Sequence, residues 1–389
     1  MRKLTYLAFT LILAFTAAEI YARGAYRQSY LTGFTAADPV FHHIVPPYYK
    51  GDMHSEGDFD VSFTTNNRGM RGPRDYSYDK KPDVFRIAVF GDSFAFGVGV
   101  RAEETASAVL EGLLNRPGGR SYEVYNFGVN SYSPIPEYIY IKKELTKYNP
   151  DLVMLMLDVC DIQDDYLYEP HIVRGPGGDI GACDPFRING RPDAGAILIR
   201  NSRLFFIIDQ KFLQSLRKIA AIGPINYISN KFKGVRNKTE ILTNRDIDNI
   251  YFDRFLLVRE GKNKEVVMRH WQRTAKYLSM IKETLDRRGI KFALVTYPYG
   301  HQVGENQWVK GRVYWGFEPG KVYNDRTGFS IIEDFARERR IDFINLYDSL
   351  AARKNERLYF NNDGHWTGRG QEVAAEAIYG SQVFKRNLR

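Results

Sequence analysis

Phe85-Arg86-Ile87-Ala88-Val89-Phe90-Gly91-Asp92-Ser93-Phe94 decides how this chain is read. A short apolar run closed by glycine reads as a strand buried on both faces. Working outward, Glu123–Val129, Asp151–Leu157, Lys291–Tyr297 and Asp342–Leu346 have the same character. Between and after them, Thr105–Leu114, Pro136–Tyr148, Lys264–Arg288, Gly328–Arg339 and Gly370–Tyr379 read as helices, with Pro136 in a first turn where proline is tolerated. Strands alternating with helices predict right-handed crossovers and a three-layer α/β/α sandwich around a five-stranded, mainly parallel sheet. In such sheets the chemistry sits at the carboxyl ends of the strands.

The composition agrees. The chain has 389 residues, 44% hydrophobic and 26% charged, which excludes disorder and is ample for one or two domains. Gly 33 and Pro 16 exclude collagen-like or proline-rich architecture. The net charge of +9 comes from basic residues spread along the chain, without a block of like charges. No zinc-finger or RNA-binding signature accompanies it, so no nucleic-acid partner is expected. Cys160 and Cys183 are too few for a disulfide framework or a cysteine zinc site, although one bridge is open to an exported chain. Between Gly91 and Val100 there is no phosphate loop, so no cofactor is expected, and a phosphate-binding α/β protein is disfavoured.

At the N-terminus, Arg2 and Lys3 precede an apolar run from Leu4 to Ala18. Residues 1–23 read as a signal peptide ending near Thr16-Ala17-Ala18 or as an uncleaved signal anchor. Leu4 to Ala22 would span roughly 28 Å as a helix, with Glu19 near the outer interface. Either reading exports the body of the chain into the cell envelope, membrane-anchored or periplasmic to extracellular, with the membrane as partner of the N-terminal segment. Residues 24–84 read as an irregular aromatic segment packing on the core. Its adjacent His42-His43 lack a third ligand at helical or hairpin spacing, so no metal is expected. The remainder, 85–389, reads as one domain with an insertion at about 165–263. Within that insertion Leu204–Ile208, Phe212, Leu213, Leu216 and Ile219 fit an amphipathic helix, read as a cap on the core in preference to a membrane-surface helix.

Ser93 follows the first strand immediately, so it is expected exposed at the carboxyl edge, near backbone N–H groups and a positive helix end. A serine hydroxyl needs a base and donors for the developing oxyanion before it attacks anything. Asn361-Asn362-Asp363-Gly364-His365-Trp366, between the fifth strand and the last helix, offers His365 as that base and Asp363 as the group holding its tautomer. The plainer alternatives are that Ser93 merely caps a helix, and that Asp363 caps the last helix beside an incidental His365. A nucleophilic role for Cys160 has no base placed beside it.

Together these stretches resemble the SGNH, or GDSL-type, superfamily of esterases and O-acyltransferases, in its membrane-anchored bacterial envelope form. Gly91-Asp92-Ser93-Phe94 is similar to the first block, Asn126-Phe127-Gly128-Val129-Asn130 to the second, and Asp363-Gly364-His365 to the last. The resemblance covers roughly 66–167 and 271–378. It implies a flavodoxin-like SGNH fold, Ser93 as nucleophile, and an oxyanion hole built from Ser93 and Gly128. The family's third block supplies an asparagine donor, but Asp158-Val159-Cys160-Asp161 puts Cys160 at that position. A thiol is a feeble donor, and one lost oxyanion donor costs on the order of 3 kcal/mol, roughly a hundredfold in rate. Asn130 is a possible substitute. Asp363 also stands two residues before His365, where the commonest family form has three. The resemblance implies a serine esterase or O-acyltransferase acting on acyl, foremost acetyl, esters of carbohydrate or cell-surface polysaccharide. The alternative is a catalytically silent glycan-binding or assembly protein that keeps the fold.

Overall fold

The computed structural model describes residues 2–25, 34–115, 120–195, 202–208, 254–259 and 264–388. Val84–Gly91 forms strand β1, with every residue buried. The other core strands are β2 (Ser121–Asn126), β3 (Leu152–Leu157), β4 (Lys291–Thr296) and β5 (Asp342–Asn345). They lie side by side in the order β5-β4-β3-β1-β2, and every pairing is parallel. The chain therefore starts in the sheet, steps to one edge and returns past its origin. The direction reverses between β1 and β3, and there the connections leave a crevice at the carboxyl ends.

β1 tolerates its one charge because Arg86 finds partners inside the protein. Its side chain is 1% exposed, donates to Glu123 at 2.8 Å and to the Ser77 carbonyl at 3.1 Å, and stacks over Tyr125. β3 carries no polar side chain and is buried along its whole length.

The helices are α1 (Arg2–Ala25), α2 (Ser93–Phe96), α3 (Ala106–Leu114), α4 (Pro134–Lys143), α5 (Asp161–Tyr168), α6 (Lys264–Asp286), α7 (Thr327–Glu338) and α8 (Gly368–Gly380), with shorter turns between them. Right-handed crossovers put α3 and α8, which pack together, on one face, and the mutually packed α4, α5 and α6 on the other. α7 joins the second group, with Phe335 edge-on to Trp271 of α6. Thr105 caps α3 by accepting from Ala108 N–H, so that helix starts one residue later than expected. α4 starts two residues early, at Pro134, and Lys143 is its last residue. A tighter turn, Leu145–Tyr148, continues it and ends at Asn149 in the left-handed region.

The segment read as irregular contains two β-hairpins. Ala36–Asp38 pairs with His42–Ile44, and Lys50–Ser55 pairs with Phe59–Thr64. These hairpins enclose a second apolar cluster, including Phe34, Val45, Met53 and Phe63, which reaches Phe96 and Val98 just beyond Ser93. The insertion likewise begins with a hairpin, Ile172–Arg174 with Ile180–Cys183, which packs on α4. Of the amphipathic helix expected there, Arg203–Ile208 is helical and packs on α1, with Phe205 against Phe15. The rest, through Phe212, Leu213, Leu216 and Ile219, lies outside the described residues.

α1 is apolar and exposed along much of its length, with Tyr6, Phe9, Leu11, Ile12, Leu13 and Phe15 uncovered. Its Glu19 is held by Ser202 at 2.7 Å and by the Leu204 N–H at 2.9 Å. Among the described residues no helix is long and apolar enough to cross a membrane. Cys160 and Cys183 are both free and buried, so the bridge left open by the sequence is not made.

Candidate active site

The site begins with a glycine that nothing else replaces. Gly91 ends β1 at φ +149°, and a Cβ there would stand 2.8 Å from Ala95 Cβ and 3.0 Å from the Met156 carbonyl oxygen. With that freedom the chain turns directly from strand into α2. Asp92 caps α2 by accepting from Phe94 N–H at 2.8 Å. Ser93 is therefore the first helical residue and not the cap. It is also less open than the sequence suggested, at 7% exposed. Gly128, on the loop after β2, lies flat against this turn. A Cβ on it would meet Phe96 N at 2.4 Å.

His365 arrives from the far end of the chain. Its loop folds back on itself, with Phe360 N–H donating to the His365 carbonyl at 2.9 Å. Gly364 takes φ +92°, where a Cβ would strike Trp308 Nε1 at 2.5 Å. Thr367, not Asp363, caps α8, accepting from Gly370 N–H at 3.2 Å. Asp363 is thereby free for another partner.

His365 Nε2 lies 2.6 Å from Ser93 Oγ. On the other side of the ring, Nδ1 bonds to Asp363 Oδ1, which also accepts from the His365 backbone N–H at 3.2 Å. An acidic acceptor at Nδ1 places the proton there and leaves Nε2 bare to accept from the serine. The three residues expected to converge do so, across 272 positions of sequence. Burial pushes the His365 imidazole down, but Asp363, and behind it Asp92 and Asp158, outweigh burial and hold it above the usual histidine value. Burial would likewise raise Asp363, and the facing imidazole reverses that and holds it below the ordinary range.

The oxyanion donors fit the expectation less well. Gly128 N–H is engaged by Asn126 Oδ1 at 2.9 Å, so it serves an oxyanion only by sharing that proton. Asn130 gives its backbone carbonyl to His43 Nε2 at 2.7 Å. Cys160 lies with Sγ 3.4 Å from Tyr299 Oη. Burial, then the neighbouring Asp158, push its thiol well up, so it stays protonated and is no nucleophile. Asp161 accepts from the Asp158 N–H at 3.1 Å, bracing the start of α5. The Ser93 N–H, in the first turn of α2, has no intrahelical acceptor by the geometry of a helix start.

Three features escaped the sequence reading. Burial, then the facing Asp158, push Asp92 up to about 8. Asp92 Oδ2 lies 3.3 Å from Ser93 Oγ, and its Oδ1 accepts from Tyr297 Oη at 3.2 Å. Tyr299 Oη donates to Asp158 at 2.7 Å. Nothing in the sequence distinguishes Asp158 from a surface acid, because its pairing depends on two loops meeting. The third is Asp58, at the tip of the Lys50–Thr64 hairpin, whose carboxylate accepts from the backbone N–H groups of Asn361, Asn362 and Asp363. The Gly57-Asp58 turn between alternating runs was a readable hairpin signal.

Residues 254–383 match a family model described as "SGNH hydrolase-like domain, acetyltransferase AlgX". Over that segment the chain is similar to SGNH hydrolase-like domains. That match takes in β4, β5 and the Asp363–His365 loop, whereas Ser93 and the first three strands precede it. Solved structures of low identity are also similar. An acetyl xylan esterase aligns at 15% identity over 76% of this chain and 98% of its own, with a TM-score of 0.37. A catalytic mutant of an acetylxylan esterase from Geobacillus stearothermophilus aligns at 10% identity over 80% and 96%, also with a TM-score of 0.37. No curated protein sequence matches.

Proposed function

We propose that the SGNH hydrolase-like domain is a serine esterase or O-acyltransferase acting on acyl, foremost acetyl, esters of a carbohydrate or cell-surface polysaccharide. The observation that carries this reading is the 2.6 Å approach of Ser93 Oγ to His365 Nε2 with Asp363 on the opposite ring nitrogen. An adjacent base is what converts a serine hydroxyl into a nucleophile. Ser93 Oγ attacks the ester carbonyl while His365 takes its proton. The tetrahedral oxyanion is met by Ser93 N–H and, shared with Asn126, by Gly128 N–H. His365 then protonates the departing alcohol, leaving the acyl group on Ser93. Water or a sugar hydroxyl, deprotonated by the same imidazole, takes the acyl group away. The acceptor alone separates hydrolase from transferase. The acetyl assignment leans on the acetyltransferase description of the matched family, and the carbohydrate assignment on the resemblance to the esterase and O-acyltransferase superfamily.

The charged start and exposed apolar face of α1 support an envelope location, with the membrane as partner; fractionation of cells expressing the full chain tests this. For the chemistry, the full-length protein is incubated with an activated acetyl ester and a fluorophosphonate probe. Wild type is expected to hydrolyse the ester and take one label, and Ser93→Ala to do neither. Equal labelling of the two would overturn the reading. One observation favours the silent glycan-binding alternative, namely Cys160 at the donor position together with the engaged Gly128 N–H. That alternative predicts binding of an acetylated glycan without turnover in wild type and unchanged binding in Ser93→Ala.

A further inference from the structure

Asp58 lies outside the matched family segment, yet it grips the loop that carries His365. Its side chain is 0% exposed. Oδ1 accepts from the Asn361 N–H at 2.8 Å and from Arg357 Nη2 at 3.1 Å. Oδ2 accepts from the Asn362 N–H at 2.7 Å and from the Asp363 N–H at 2.9 Å. Three consecutive backbone donors converge on one carboxylate, the arrangement by which a chain segment makes a nest for an anion. Arg357 is half exposed, so the nest, and not the ion pair, is the enclosed part of the contact. The hairpin tip is fixed to the same loop twice more. Asn362 Nδ2 donates to the Glu56 carbonyl at 2.8 Å, and the Phe59 and Phe360 rings lie 4.8 Å apart.

We propose that Asp58 is a positioning residue that holds the catalytic loop so that His365 faces Ser93. This rests on the acyl-transfer reading of Ser93, His365 and Asp363. Asp363 joins the two halves of the device: its backbone N–H is held by Asp58 while its carboxylate holds the imidazole. A displacement of the 361–363 backbone passes directly to His365 Nε2. Asparagine at 58 presents one oxygen and one N–H₂, so a donor would oppose at least one member of the nest. Glutamate keeps the charge but carries it one carbon further.

The test compares the full-length wild type, Asp58→Asn and Asp58→Glu by turnover of an activated acetyl ester, fluorophosphonate labelling rate, thermal unfolding and the low-field NMR resonance of the His365 Nδ1 proton. Asp58→Asn is expected to lose about 100-fold in kcat, the scale of a 1 Å misplacement, with KM within about twofold. Labelling should slow in parallel and the Nδ1 resonance should shift or broaden. Asp58→Glu should recover part of each. A folded Asp58→Asn with kcat, labelling and resonance all like wild type would overturn the proposal. Should Asp58→Asn fail to fold, Asp58→Glu decides, since wild-type kcat and resonance with a displaced carboxylate would also overturn it. Should wild type neither turn over nor label, the acyl-transfer reading falls, and the resonance in the variants still decides whether Asp58 positions His365.

Discussion

At the scale of single residues, the site is governed by how acids are distributed around one imidazole. Because His365 is held above the usual histidine value, and only its neutral form can accept the serine proton, the acid limb of kcat/KM is expected above about pH 6.5. Asp363→Asn removes a charge that raises it, so that limb should move to lower pH. The residual rate should be lower by about 10³–10⁴-fold, because the tautomer is no longer fixed; a pH–rate profile with an activated ester measures both. Asp92 acts in the opposite sense. Its folded value of about 8 lies far above that of an unfolded aspartate, so the folded state binds the extra proton. Stability is therefore expected to fall as pH rises from about 4 to about 8, and Asp92→Asn, which still caps α2, should flatten that slope in thermal unfolding series.

At the scale of elements, the close approaches around α2 set the tolerances. Gly91→Ala forces a Cβ into Ala95 and the β3 backbone, and Gly128→Ala forces one into the Phe96 amide. Each should cost about 1–3 kcal/mol by overpacking, read as a lower denaturation midpoint. Gly128→Ala should also reduce ester turnover, because it displaces the nucleophile turn. These elements were legible in the sequence where burial dictated residue type. β3, apolar on both faces, showed its place directly, and the glycine closing β1 showed where the strand must turn. The convergence of Ser93 with the 363–365 loop was legible because both follow strand ends. The N-terminal hairpins were not recognised, since a strand such as Lys50–Ser55 keeps one residue buried among polar neighbours. The Asp58 nest was invisible for a different reason: its donors are backbone N–H groups, which every sequence has. The Gly128 donor was anticipated without its Asn126 partner, which only the folded loop brings into place.

At the scale of the whole molecule, α1 is the element on which the proposed envelope location depends. Among the described residues, the contacts of α1 run through Ser202, Leu204 and the Arg203–Ile208 helix. A chain lacking residues 1–25 is expected to keep ester turnover within about twofold and to lose membrane association, which sedimentation and an activity assay together would check. The distribution of site residues along the chain has a further consequence. Ser93 is hydrogen-bonded to His365, 272 positions later, and Asp58 reaches donors more than 300 positions away, as with Asn362 at 304. Contacts of such separation form late, after the entropy of closing long loops has been overcome. On the proposed acyl-transfer reading, a nascent chain thus carries a serine without its base until residue 365 has been made and its loop has closed onto Ser93. If that reading holds, a product of translation aborted before residue 365 would leave surrounding esters untouched.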